Sequence, residues 1–172
     1  MSGVQARATR RAEDGRVSAI DGDEPALISI GAPADPALLE PTYAYLSAYC
    51  FACLPPPQAQ RLNVAIYELY ANALRYGSDG GEVRLELRRS GKSILLVVAN
   101  YAEQAHVERL KAHLARVQED PSAAFSGEMN RFDGASQPPP MLGIVRVAHE
   151  VGLPLQLFSY QGRVEISTRC DE

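Results

Sequence analysis

Between Glu82 and Ala99 the chain carries two segments of opposite character. Val83, Leu85 and Leu87 alternate with Glu82, Arg84, Glu86 and Arg88, and after Ser90-Gly91-Lys92 the run Ile94-Leu95-Leu96-Val97-Val98-Ala99 is apolar at every position. Alternation with period two predicts a strand with one buried and one wetted face. An uninterrupted apolar run of this length predicts a central strand covered on both faces or nearly so. Joined by the hairpin turn, the two segments are the core of a sheet.

The same turn contains Gly91-Lys92-Ser93, the ending of a phosphate-binding loop. That loop needs a glycine where Glu86 stands, and the triplet turns a hairpin instead of opening a helix, so the reading is rejected. Upstream, Leu62, Ala65, Ile66, Leu69, Ala73 and Tyr76 fall on one stripe when wound at about 100° per residue. A helix is predicted from near Gln58, with Gly77 as a left-handed C-cap. Glu68 and Asn72 stand four residues apart on the border of the stripe, stacked on one helix face and half-buried. On spacing alone they are as well read as ordinary solvated helix residues.

Around this pair the remaining elements follow from punctuation and period. Ala26-Leu27-Ile28-Ser29-Ile30 reads as a short strand ended by Gly31, and Pro33 to Pro36 leads into a helix reaching about Leu54, broken by Pro55-Pro56-Pro57. Val107, Leu110, Leu114 and Val117 describe an amphipathic helix with a solvated outer face, ended by Pro121. Ser122 to Pro140 shows no period and is long for a connection, the signature of a functional lid or of disorder. A helix over Met141–Glu150, entered through Gly143, precedes strands Leu155–Tyr160 and Arg163–Thr168. Residues 1–24, with Arg7, Arg10, Arg11 and Arg16 among small and acidic residues, predict a disordered tail. Residues 25–172 then form one domain, with 101–140 as a variable insert or lid.

Composition excludes several functions. A chain of 172 residues with 46% hydrophobic and 22% charged residues suits one globular domain. Its net charge of −4 provides no electrostatic footprint for nucleic acid or an anionic membrane. There is no apolar run of the roughly 18 residues that would span a bilayer and no signal-peptide core, so a cytoplasmic location is expected. Cys50-x-x-Cys53 lacks a second ligand pair and is expected to pack as two small hydrophobes. His106, His113 and His149 are separated in sequence and read as structural.

The Glu68…Asn72-Ala73 box before a hairpin, in the order strand, helix, helix, strand, strand, helical insert, helix, strand, strand, resembles the N-box of the GHKL ATP-binding superfamily. Histidine kinases, gyrase-type ATPases and the serine kinases that act as bacterial anti-sigma factors share this fold. The resemblance spans residues 26–168 and implies an α+β, two-layer α/β sandwich, its mixed, mostly antiparallel sheet carrying helices on one face. It implies Asn72 as the Mg²⁺ ligand beside ATP and Glu68 as the catalytic residue that orients or deprotonates a phosphoryl acceptor. Mg²⁺ suits a single carboxamide oxygen supplemented by phosphate oxygens and waters.

The family's other two boxes are altered. Where an Asp-x-Gly-x-Gly holds adenine, this chain has Asn100-Tyr101-Ala102-Glu103. Asn100 retains an acceptor, but the glycine geometry is lost, and an Asn ending a strand on a backbone bond is an equal reading. The phosphate-wrapping box is reduced to Met141-Leu142-Gly143-Ile144, whose backbone amides, with Arg146 one turn on, would face the phosphates. The chain is similar to stand-alone anti-sigma-factor-like and SiaB-like serine kinases. That likeness implies a small regulatory partner protein, STAS-like or a sigma factor, with no nucleic acid and no membrane, and it leaves a homodimer open. Two readings follow: a Mg-ATP-dependent serine/threonine kinase, or an inactive docking module regulating its partner by stoichiometric binding. An unrelated α+β domain whose helix happens to carry the Glu68/Asn72 spacing is the third.

Overall fold

The computed structural model describes residues 18–19, 26–132 and 141–172. Its elements run β1 (Ala26–Pro33), a short 3-10 turn (Pro36–Leu38), α1 (Leu39–Cys53), α2 (Pro56–Tyr76), β2 (Glu82–Ser90), β3 (Ser93–Tyr101), α3 (Gln104–Glu119), α4 (Pro121–Phe132), α5 (Leu142–His149), β4 (Leu155–Tyr160) and β5 (Arg163–Cys170). The five strands form one sheet in the order β1-β2-β3-β5-β4, every neighbouring pair antiparallel. This is the expected α+β sandwich. Among the described residues no helix is long and apolar enough to cross a membrane.

The helix-facing side of the sheet follows directly from the alternation. Leu85 pairs with Val98 and Leu87 with Leu96, and β5 continues the rows through Ile166 and Thr168. The stripe of α2 lies on these rows: Leu62, Ala65, Ile66, Leu69 and Ala73 are all buried. Fully burying a side chain of the size of Leu62 or Ile66 contributes about 1.5–3 kcal/mol, so this contact fixes α2 on the sheet. Pro55 caps α2, and Pro56 and Pro57 occupy its first turn, where proline loses no hydrogen bond. The proline triplet therefore starts α2 as well as ending α1, and α2 begins before Gln58. Gln58 is buried, and its Nε2 donates to Cys170 O at 2.9 Å, tying the helix start to the end of β5.

Several expectations are corrected. Gly77 is extended (φ −63°, ψ 143°), not left-handed. Its glycine is needed for close approach, since a Cβ there would lie 2.8 Å from Ala34 Cβ and 3.0 Å from Ala73 O. Gly31 does not end β1, which pairs with β2 through Pro33. Ser122 to Pro140 is not wholly aperiodic loop, because Pro121–Phe132 is helical. Pro121 opens α4 instead of merely closing α3, and Asp120 Oδ1 accepts from Ala123 N at 2.9 Å in the manner of an N-cap. Cys50 is buried as expected, but Cys53 is exposed.

The far side of the sheet departs most from the alternation. Glu86 and Arg88, predicted to be wetted, are 1% and 3% exposed. Glu86 is satisfied by Arg84 Nε at 2.8 Å, Arg88 Nη2 at 2.7 Å and Ser29 Oγ at 3.1 Å. Val97 and Ala99 are also buried there, with Ala19 packed against them. The central strand is thus covered on both faces. Ser18 and Ala19 belong to the stretch expected to be a disordered tail, and the rest of that stretch lies outside the described residues.

Candidate functional site

Four-residue spacing on α2 places Glu68, Asn72 and Tyr76 along one side of the helix, and α5 comes against the first of them. A Cβ on Gly143 would overlap Glu68 Oε2 and lie 3.1 Å from Glu68 Cδ and 3.2 Å from its Cβ, so glycine permits this approach. One turn further on α5, Arg146 Nη1 donates to Glu68 Oε1, while its Nε donates to Glu150 Oε2 at 3.0 Å. Burial raises the Glu68 carboxyl above the ordinary glutamate range, and the Arg146 charge offsets part of that rise. Asn72 is half-buried, and its carboxamide bonds to no described residue. Glu68, Asn72, Arg75, Leu142, Gly143 and Arg146 line a cavity of about 270 Å³.

Beside it lies a second cavity of about 370 Å³, walled by Tyr76, His106, Arg109, His113, Arg116 and Arg131. Met141 borders both. Its backbone is left-handed (φ 78°), a strained conformation for a side chain of this kind, and it caps the start of α5. Tyr76 and His106 are stacked, with centroids 4.2 Å apart and planes inclined by 18°, and present a flat wall.

The deeper wall is polar. His113 is 4% exposed, and its Nε2 has no hydrogen-bond partner within normal geometry among the described residues. Its Nδ1 lies 3.3 Å from Arg116 Nη2 and 3.9 Å from Glu128 Oε1, and buried Glu128 accepts from Arg131 Nη1 at 2.7 Å. Burial lowers the pKa of both His113 and His106, and Arg109 lowers that of His106 further. The cavity therefore combines three guanidinium groups with two imidazoles biased towards the neutral form, against one carboxylate. It suits an anionic ligand with a flat apolar part.

Of the residues singled out from sequence, the structure brings together Glu68, Asn72, Leu142 and Gly143. Asn100 lies elsewhere: it is 8% exposed and its Nδ2 donates to Ala73 O at 3.3 Å, the strand-ending reading. Ile144 points its side chain into the core, and its amide donates to Met141 O at 3.1 Å. Sequence reasoning missed the cationic cavity. His106, Arg109, His113 and Arg116 recur three, four and three residues apart on α3, a stripe in its own right, but beside Val107, Leu110 and Leu114 it reads as a solvated face. Among the described residues no three or more His, Cys, Asp or Glu side chains cluster to hold a metal unaided.

No protein-family model matches the sequence. No curated protein matches it. The fold is similar to that of a chain in the crystal structure of the SiaB–SiaC complex from Pseudomonas aeruginosa, with a TM-score of 0.62 and 19% identity over 84% of this chain and 89% of that chain. At this identity the likeness establishes the shared architecture.

Proposed function

We propose that this chain is a bacterial regulatory protein of the GHKL type that binds Mg-ATP in the paired cavities and acts on a small partner protein by phosphorylating or sequestering it. The observation that carries this reading is the Asn72 carboxamide, bonded to no described residue, on the wall of one cavity that is joined at Met141 to a cavity rich in arginine. The donor set fits the group. Asn72 offers Mg²⁺ one oxygen and leaves its other positions to phosphate and water. Arg109, Arg116 and Arg131 would balance phosphate charge, and the Tyr76–His106 wall would face the base.

Bound Mg-ATP would supply the γ-phosphoryl group. Glu68 would orient a serine or threonine hydroxyl and take up its proton, a task suited to a carboxyl whose pKa burial has raised. For that, Arg146 must release or share the carboxylate. The engagement of Glu68 by Arg146, and of Asn100 by Ala73 O, favours the second reading, an inactive module that regulates its partner by docking. A neighbouring fold solved in a two-protein complex supports a protein partner under either reading.

Calorimetric titration of Mg-ATP into the folded protein separates the two. Binding that weakens in Asn72→Ala only when Mg²⁺ is present supports the nucleotide site. Neither heat nor a melting shift at millimolar Mg-ATP overturns it. If ATP binds, Glu68→Ala should retain binding and lose transfer to the partner.

A further inference from the structure

On the side of the sheet away from the helices, Glu165 of β5 is 1% exposed, and both carboxylate oxygens are engaged from Ser18–Ala19. Oε1 accepts from Ser18 Oγ at 2.7 Å and from Arg163 Nε at 3.1 Å, and Oε2 accepts from Ala19 N at 3.1 Å. The methyl group of Ala19 packs with the cluster of Val97 and Ala99 on β3. A serine hydroxyl, the next backbone amide and a small apolar side chain are thus read together. That combination recognises a short backbone segment.

We propose that the outer face of the sheet is a docking seat for such a segment, and that the chain's own Ser18–Ala19 occupies it in cis as a releasable cover. The inference is independent of nucleotide binding. Reach permits the cis arrangement: from Ala19 to Ala26 there are seven Cα-to-Cα steps, an extended span of about 23–25 Å. Edge strand β1 lies two and three strands away from β3 and β5, about 10 and 14 Å.

Release is feasible because the seat is built differently from the inner face. Its buried carboxylates already hold arginine partners, Glu86 with Arg84 and Arg88, Glu165 with Arg163. Lifting the cover returns paired charges to water and strands none of them, which avoids the large penalty of an isolated buried ion. The apolar surface uncovered belongs mainly to small side chains, Val97 and Ala99. By contrast, the leucine and isoleucine rows under α2 cannot be opened without unfolding.

The test uses the full chain. The amide exchange rate of Ala19 is measured in the wild type and in Ser18→Glu, which sets a second carboxylate against Glu165, with circular dichroism confirming the fold. Protection of Ala19 is expected to fall about tenfold or more, the scale of one charge-assisted hydrogen bond. A synthetic peptide of residues 10–25 should then bind the opened variant and be refused by the wild type. Should Ser18→Glu fail to fold, Ser18→Ala and Glu165→Gln carry the same exchange measurement, with smaller losses expected. Unchanged Ala19 protection in folded variants overturns the proposal. So does an isotope-filtered signal between labelled and unlabelled copies showing that Ser18 meets Glu165 of a second chain.

Discussion

Arg146 and Glu68, 78 positions apart in the chain, form an ion pair that holds the first turns of α5 against the middle of α2. Arg146 also holds Glu150 on its own helix, so one guanidinium bridges two carboxylates. The Glu68 side chain is 14% exposed and that of Arg146 40%, so solvent screens part of the attraction. A double-mutant cycle with Glu68→Gln and Arg146→Gln should give a coupling of about 0.5–1.5 kcal/mol from denaturant midpoints. Additivity within error would show that the pair contributes no coupling.

Glu68 should also leave a signature in the pH dependence. Its folded pKa is raised, mainly by burial, so the folded state holds this proton more tightly than the unfolded state. The associated stability is complete below the unfolded glutamate pKa, about 4.3, and is lost as pH rises through the higher folded value. Urea midpoints measured from pH 4 upward should show this loss in the wild type and not in Glu68→Gln. Parallel curves for the two proteins would contradict the assignment.

The histidines of α3 work in the opposite direction. Burial lowers His113, and burial with Arg109 lowers His106, so each prefers to stay neutral in the fold. Their contribution is complete above the unfolded value of about 6.5 and is lost as pH falls through the lower folded values. His113→Gln should flatten the acid side of the stability profile between neutral pH and the onset of carboxylate titration. An unaltered profile would place His113 outside the titrating set.

Gly143→Ala tests the approach of the two helices. The new Cβ would force the Glu68 carboxylate away from Gly143 and out of line with Arg146. Overpacking of this kind costs about 1–3 kcal/mol, read as a lowered melting temperature. The loss should be smaller in a Glu68→Ala background, where the displaced carboxylate is gone and only the 3.2 Å contact with the Cβ of residue 68 remains.

In the cationic cavity, Arg116→Ala should weaken binding of a triphosphate on the order of tenfold, the scale of one charge-assisted contact. The loss should shrink as salt is raised. Arg61, which donates to Val151 O at 3.3 Å on the surface, is the control, and Arg61→Ala should leave the affinity unchanged.

How legible each part was depended on whether side chains faced the core. The stripe from Leu62 to Ala73 and the row Leu85, Leu87, Leu96 and Val98 bury against each other, so apolar period alone revealed α2, β2 and β3. Glu68, Asn72 and Gly143 were legible through spacing and resemblance, and the cavity assembles them. Glu86 and Arg88 were misread because a charge alternating with leucine looks wetted, whereas here both are buried and Glu86 is held by Ser29 of β1 and by Arg84 and Arg88 of its own strand. The α4 helix was missed for a related reason. Its buried polar residue, Glu128, is satisfied by Arg131 on the same helix and packs beside His113, so no apolar stripe announces it.

The position of β5 in the sheet bears on how the chain reaches this state. It is the last strand in chain order, yet it sits between β3 and β4 and supplies the second neighbour of β3. Tyr101 must wait for Arg163, so α3, α4, α5 and β4 all lie within the loop that this pairing closes. Closing so long a loop carries an entropic cost that local contacts do not repay, and non-local pairing of this kind slows folding. Until it closes, β3 presents an apolar open edge to other chains. The hairpin most easily read from the sequence is thus the one most exposed to misassociation during folding.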